Sequence, residues 1–216
     1  MNLNPFEFVL DLFVPRQNAN FSSIHSYLSR AEIDTQIPRL KNLEVGQKQY
    51  LNQVLIASEY SSNLIQDLIE RAKFYGEIAI TYDFAKLLFS KTTEMPKPDL
   101  IVPVPFDPGR RVQRGYHIPE LIAKDLAKFL KTKVSTILVK TKNTAQQTLL
   151  DREERLKNLE NKFKINSPEI QNLEKAKTIW IVDDLVTTGT TLLECAKTIK
   201  QEYPEIEIYG VVVSGN

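Results

Sequence analysis

Two adjacent carboxylates, Asp183 and Asp184, stand between a run of apolar residues and a turn rich in glycine and threonine. Residues 179–191 thus combine a buried-strand pattern, an acid pair, a turn and the start of an amphipathic helix. A turn at a helix N-terminus presents unpaired N–H groups and the positive end of the helix dipole, which favour a phosphate. Carboxylates can accept hydrogen bonds from vicinal sugar hydroxyls. We therefore predict a sugar-phosphate site, because the two acids would repel a bare phosphate.

The turn supplies further groups that suit an anion. Gly189 allows the backbone to approach the ligand closely, and the threonine hydroxyls add donors. The predicted ligand-binding residues are Asp183, Asp184, Val186, Thr187, Thr188, Gly189, Thr190 and Thr191. The alternative is that the acids only cap the helix and the threonines form an ordinary turn. The order of strand, acids, turn and helix favours the ligand site.

Two other groups of basic residues could contact an anion. Arg110, Arg111 and Arg114 follow an apolar run, and guanidinium groups bind phosphate oxygens in bidentate fashion, so we predict a pyrophosphate grip. A solvated basic turn is the alternative. Arg152 and Arg155 belong to a long polar stretch that we interpret as a flap, since loops of this length are often lids. They could equally pair with neighbouring acids.

The surrounding sequence must place these groups at one edge of a sheet. After residue 98, strand and helix patterns alternate, which predicts a parallel sheet with crossover helices. Strands are expected at 100–104, 136–139, 178–182 and 206–213, and helices at 118–130 and 191–203. The ligand crevice of such a sheet lies at the carboxyl ends of its strands. Trp180 is expected in the core, because that strand should be covered on both faces.

The sequence before residue 98 does not show the regular alternation of strand and helix patterns. A strand is predicted at 53–57 and helices at 64–76 and 77–89, followed by a proline-containing linker at 94–99. We therefore predict an N-terminal appendage with helices over residues 1–98 and a core domain over residues 99–216.

Composition excludes several classes of protein. Lys and Arg total 28 and Asp and Glu total 27, so no overall field attracts nucleic acid or a membrane surface. The single cysteine, Cys195, excludes an internal disulfide and a cysteine-rich zinc site, and we expect it to pack as a small apolar group. No apolar run approaches the roughly 20 residues of a membrane span. A cytoplasmic location is expected.

Residues 179–191 resemble the 5-phosphoribosyl-1-pyrophosphate (PRPP) motif of type I phosphoribosyltransferases, and the chain is similar to the ComF family of competence-related proteins. The likeness extends over residues 100–130, including Val102-Pro-Val-Pro105 and Arg114-Gly-Tyr-His117, and over the flap. It implies a type I phosphoribosyltransferase-like α/β fold, a parallel sheet flanked by helices, with a small N-terminal hood. Gln147 and Thr148 are flap candidates through this resemblance alone.

The chain departs from the family at two places. Many members carry a four-cysteine zinc module after the N-terminal opening, whereas Gln17, Asn20 and their neighbours offer no thiolate, so no zinc is expected. Thr190 stands where the motif usually has a smaller residue, which should tighten the phosphate turn.

The resemblance implies transfer of phosphoribosyl from PRPP to a nitrogen nucleophile, a nucleobase or an amine, with Mg²⁺ bridging pyrophosphate and ribose. Asp183 and Asp184 would be the catalytic acids, holding the ribose and, directly or through water, the metal. The alternative function is a non-catalytic PRPP-binding accessory protein of the DNA-uptake machinery. His117, at a helix start, is either a substrate contact or a polar helix end. No pattern specifies the acceptor or an oligomeric state.

Overall fold

A computed structural model describes residues 27–36, 38–41, 45–60, 63–106, 115–141 and 163–215. The predicted pyrophosphate-side and flap residues lie outside these ranges, and they are Arg110, Arg111, Arg114, Gln147, Thr148, Arg152 and Arg155. The N-terminal opening, where zinc is not expected, also lies outside them. The predictions for these residues therefore stay predictions.

The described residues are organised around a six-stranded sheet. Its strands, in order across the sheet, are β1 (Arg39–Lys41), β2 (Gln53–Glu59), β8 (Glu207–Gly215), β7 (Thr178–Val186), β3 (Leu100–Pro103) and β4 (Lys133–Val134). Neighbouring strands are parallel except for β1, which pairs antiparallel with β2. The expected α/β fold with a parallel sheet is confirmed.

Helices cover both faces of this sheet. One face packs against α3 (Asn63–Phe74), α4 (Ile80–Lys91) and α5 (Ile118–Leu130), and the other against α7 (Thr190–Glu202). Alternate side chains of β7 enter the two cores, with Trp180 in the first and Ile179 and Ile181 in the second. A strand buried on both faces needs a continuous apolar run, which is why 178–182 has no polar alternation.

Short elements complete the described chain. They are α1 (Arg30–Thr35), α2 (Val45–Lys48), a 3₁₀ turn (Ser167–Glu169), α6 (Ile170–Leu173) and a separate antiparallel pair, β5 (Leu138–Lys140) with β6 (Phe163–Ile165). The prediction that 136–139 joins the parallel sheet is wrong. The strand beside β3 is the two-residue β4, which is too short to show any periodicity in sequence.

Strands β1 and β2 lie in the segment predicted as an N-terminal appendage, yet they belong to the same sheet as β7 and β8. Five consecutive residues of β2 are buried, which suits a strand with a neighbour on either side. The predicted boundary at residue 98 therefore does not separate two sheets. Whether residues 1–98 act as a hood stays a prediction.

Trp180 is buried in the core as expected, and its indole N–H donates to the carbonyl oxygen of Pro96 at 3.0 Å. This bond ties the predicted linker to the middle of the sheet. Within the described ranges, no helix combines the length and the apolar character that crossing a bilayer requires.

One buried carboxylate fastens the start of the described chain to α4. Asp83 is 1% exposed, accepts the backbone N–H of Tyr27 at 2.5 Å and pairs with Lys86 Nζ at 2.5 Å. Removing it would leave buried donors without their charged acceptor.

We expect Asp83→Ala to lower the free energy of unfolding by about 2 to 4 kcal/mol, measured by urea denaturation. Asp34→Ala is the matched control, since Asp34 pairs with Arg30 at 3.8 Å on the surface and should change stability by less than about 0.5 kcal/mol. Equal losses in the two variants would contradict the anchoring role of Asp83.

Candidate functional site

The acid pair lies near the carboxyl end of β7, where β3 also ends and where α5 and α7 begin. Neighbouring strand residues face opposite sides of a sheet. Asp184 therefore meets α3 on one side, while Asp183 lies on the side of α7, near Cys195. The backbone N–H of Asp184 donates to Asp183 Oδ1 at 2.9 Å, which fixes the orientation of that carboxylate. The predicted strand continues to Val186, so both acids lie inside β7 rather than just beyond it.

A lysine that sequence analysis did not identify completes this group. Lys73, in the last turn of α3, places Nζ 2.7 Å from Asp184 Oδ2. Asp184 is 6% exposed, so its charge is largely removed from water and needs a partner. In the sequence, Lys73 directly follows Ala72, the last residue of the apolar stripe of α3. A surface lysine could occupy the same position, so the sequence does not reveal the ion pair.

The local environment perturbs the pKa of Asp183 strongly. Burial raises the pKa of Asp183 well above its usual value, and the neighbouring Asp184 carboxylate raises it further. The Asp184 N–H and the Lys73 ammonium act in the opposite direction. Acids whose pKa is shifted by burial and a like charge cluster at functional sites.

The turn after the acids has the geometry expected for an anion site. Gly189 has φ +83° and stands directly before α7, so the first N–H groups of that helix have no intrahelical partner. Thr188 and Thr190 place their hydroxyl oxygens 2.9 Å apart across the turn. This contact links the residues on either side of Gly189, and a tighter turn due to Thr190 stays a prediction.

Lys41, on the edge strand β1, lies against the same turn and was also missed. Its Nζ donates to the carbonyl oxygen of Thr187 at 2.8 Å, and its end would lie 3.5 Å from a Cβ at Gly189. Burial, with a smaller effect of the nearby Arg39, lowers the pKa of Lys41. A three-residue strand has no periodicity from which this contact could be inferred.

Residues of α3, β7, α5 and α7, together with the chain that follows β3, line a pocket of about 440 Å³. Five of the predicted ligand-binding residues line it, namely Asp183, Asp184, Thr187, Thr190 and Thr191. Val186 is instead buried in the core beside Gly215 and does not line the pocket. Gly189 and Thr188 form the turn beside the pocket.

Part of the pocket wall is aromatic and includes His117, for which the sequence left two roles open. His117 lines the pocket, its ring meets Phe106 edge-on at 4.6 Å, and Nδ1 is 3.9 Å from Glu120 Oε2. Tyr116 also lines the pocket and donates its hydroxyl to the carbonyl oxygen of Ala72 at 2.9 Å. The wall thus joins the start of α5 to the end of α3.

Cys195 lies on the buried face of α7, where its free thiol packs in the core. Burial raises the pKa of this thiol, and the charges of Asp183 and Glu194 raise it further. A raised pKa disfavours the thiolate, which is the nucleophilic form. Cys195 is therefore packed as the small apolar group expected from sequence.

Comparisons with known proteins agree with this geometry. Residues 120–216 match the phosphoribosyl transferase domain family. The chain is 30% identical over 152 residues to Competence protein F of Haemophilus influenzae, covering 67% of this chain and 66% of that protein. It is 31% identical over 142 residues to the DNA utilization protein YhgH of Escherichia coli K12, covering 62% and 60%. The chain thus spans slightly less than two thirds of the length of these relatives.

We expect Gly189→Ala to lower the free energy of unfolding by about 1 to 2 kcal/mol, because a Cβ disfavours the left-handed conformation. Gly115→Ala should cost a similar amount, since Gly115 has φ +69° and open space around it. Gly189→Asn should cost less, because asparagine tolerates this conformation. Thermal and urea denaturation measure the three variants, and a Gly189→Ala protein as stable as the parent would contradict the left-handed turn.

Proposed function

The chain belongs to the ComF family and has a type I phosphoribosyltransferase-like fold, and we propose that it binds PRPP and transfers its phosphoribosyl group to a nitrogen nucleophile. The observation that carries this proposal is the position of the acid pair and the left-handed turn at the wall of one pocket. A sugar phosphate has a diol for the acids and a phosphate for the turn. A ligand with only one of these groups would leave half of the site unused.

The 5-phosphate would lie at the N-terminus of α7. There the backbone N–H groups and the helix dipole favour an anion, and the exposed hydroxyls of Thr190 and Thr191 add donors. Lys41 brings a positive charge to the same turn. The ribose hydroxyls would then donate to Asp183 and Asp184, which line the pocket beside the turn.

The same acids suit the transition state that this enzyme class uses. When the bond to pyrophosphate breaks, positive charge develops on the ribose ring, and fixed negative groups nearby stabilise it. The pyrophosphate would be held by Arg110, Arg111 and Arg114. The flap residues Gln147, Thr148, Arg152 and Arg155 would exclude water above it. These seven residues are assigned from sequence alone.

Magnesium fits the donor set of the pocket. Carboxylate oxygens are ligands that Mg²⁺ accepts, and it commonly binds through one or two carboxylates together with substrate phosphates and water. In the part of the chain that the structure describes, no group of three or more His, Cys, Asp or Glu could enclose a metal. Asp183 and Asp184 would therefore hold the ion with the help of the substrate, directly or through water, and the ion would neutralise charge on the pyrophosphate.

The aromatic wall is the proposed acceptor side. Phe106 and Tyr116 line the pocket together with the turn residues, and flat rings favour stacking with a planar base. A nucleobase therefore suits this wall better than a small aliphatic amine. His117 stands beside these rings and would contact the acceptor.

A second function is favoured by the relatives. One is named a competence protein and the other a DNA utilization protein. We propose as the alternative that this chain binds PRPP as an accessory protein of the DNA-uptake machinery without catalysing transfer. A cytoplasmic location and the absence of bound zinc belong to both versions.

Pyrophosphate release from PRPP, offered with Mg²⁺ and a panel of nucleobases and amines, distinguishes the two functions. Transfer predicts release that depends on one acceptor and that falls at least tenfold in Asp183→Asn. An accessory role predicts PRPP binding by calorimetry with no release above the rate without protein. The absence of both binding and release would refute PRPP as the ligand.

Asp183→Asn tests the ribose assignment without breaking the pair between Lys73 and Asp184. Asparagine keeps the oxygen that accepts the Asp184 N–H, so the fold should survive. Hydrogen bonds to charged groups are worth about 1.5 to 3 kcal/mol, so the Kd for PRPP should rise by roughly 10- to 100-fold in calorimetric titration.

Asp125→Asn is the control for that experiment, since Asp125 lies on α5 outside the pocket and pairs with Lys128 at 2.7 Å. It removes the same charge and should leave the Kd for PRPP unchanged. Unchanged or tighter PRPP binding by Asp183→Asn would sink the ribose assignment, because it would mean that the carboxylate only repels the phosphates.

A further inference from the structure

The pair between Lys73 and Asp184 lies inside the pocket and at its charged centre. Lys73 and both acids line the pocket, and Nζ of Lys73 is 2.7 Å from Asp184 Oδ2. The lysine side chain is 21% exposed, so the ammonium is only partly withdrawn from water. It is therefore close enough to neutralise the acid and open enough to meet a ligand or to turn away.

The acid pair needs such a partner before any ligand arrives. Two adjacent carboxylates repel each other, and both would repel a phosphate-bearing ligand. With Lys73 in place the three groups carry about one negative charge when ionised, instead of two. A divalent cation would supply the same neutralisation, but at Oδ2 of Asp184 it would meet the ammonium of Lys73.

We propose that Lys73 is a positioning residue that serves as the built-in counter-ion of the acid pair and competes with a divalent cation for Asp184. The ammonium holds Asp184 in its orientation and reduces the need for a metal at this carboxylate. As far as it concerns PRPP, this role rests on the function proposed above. A metal bound with the substrate would then contact Oδ2 of Asp184 only by displacing Lys73, and would otherwise be held through Asp183 and the ligand phosphates.

A second lysine–aspartate pair, outside the pocket, has a structural role only. Lys86 Nζ lies 2.5 Å from Asp83 Oδ1, and this aspartate also accepts the backbone N–H of Tyr27. Neither residue lines the pocket. Lys86 therefore provides a matched control, because Lys86→Gln removes an ammonium from a buried acid without changing the charge of the site.

The first test measures Mn²⁺ binding to the protein without PRPP, by the loss of the free-ion signal in electron paramagnetic resonance. Lys73→Gln and Lys73→Met should bind Mn²⁺ at least tenfold more tightly than the parent, while Lys73→Arg and Lys86→Gln should bind like the parent. Circular dichroism verifies that each variant is folded. Equal Mn²⁺ affinity in the parent and both uncharged variants would overturn the competition.

The second test compares the Kd for PRPP in EDTA with the Kd in saturating Mg²⁺. The parent should bind in both conditions. In Lys73→Gln the gain on adding Mg²⁺ should be at least tenfold larger than in the parent, because the metal replaces the missing charge, and Lys73→Arg should restore the parent's ratio. A lysine that only supports the fold would weaken binding equally in both conditions, which would refute the counter-ion role.

The two tests separate this role from the proposed function. If the parent bound PRPP in neither condition, PRPP binding would be refuted, while the Mn²⁺ measurement would still decide whether Lys73 competes for Asp184. If PRPP bound and the Mn²⁺ affinities were equal, the proposed function would stand and the counter-ion role would fall.

Discussion

The repulsion between Asp183 and Asp184 is the constraint that the other groups of the site must offset. Both carboxylates lie near the end of β7, where burial and mutual repulsion raise the pKa of Asp183. The fold meets this cost in two ways, with a backbone N–H that donates to Asp183 and an ammonium that pairs with Asp184. An acid pair kept under such a constraint suits a ligand with hydroxyl groups to donate, because each carboxylate then gains a further hydrogen bond.

The segments before residue 98 matter more to this site than a simple appendage would. Strand β2 pairs with β8 inside the main sheet, α3 brings Lys73 to the acids, and β1 brings Lys41 to the turn before α7. The side chain of Arg39 and the backbone N–H of Tyr60 both donate to the carbonyl oxygen of Gly215, at the end of β8. Positive charge therefore reaches the site from elements distant in sequence from the motif, and the central strands hold those elements in register.

Features that depend on neighbouring residues could be predicted from the sequence. The apolar run, the acids, the glycine and the threonines of 179–191 define strand, turn and helix locally, because each preference is set within a few residues. The helix at 118–130 was predicted with the bounds that the structure shows, since its apolar stripe and its proline in the first turn are local signals. Burial of Trp180 followed from the absence of polar alternation around it.

Contacts between distant segments were decided only by the tertiary structure. Nothing near Lys73 distinguishes it from a surface lysine, and its role appears only when α3 packs beside β7. Strands β1 and β4 have three and two residues, too few for a period, so their places at the edges of the sheet follow from pairing with β2 and β3. The sequence by itself therefore determined the motif, the fold class and the family likeness. The positive charge of Lys73, which offsets the negative charge of the acid pair, and that of Lys41 at the turn were placed by the packing. Ion pairing depends on distance in space and not on spacing along the chain.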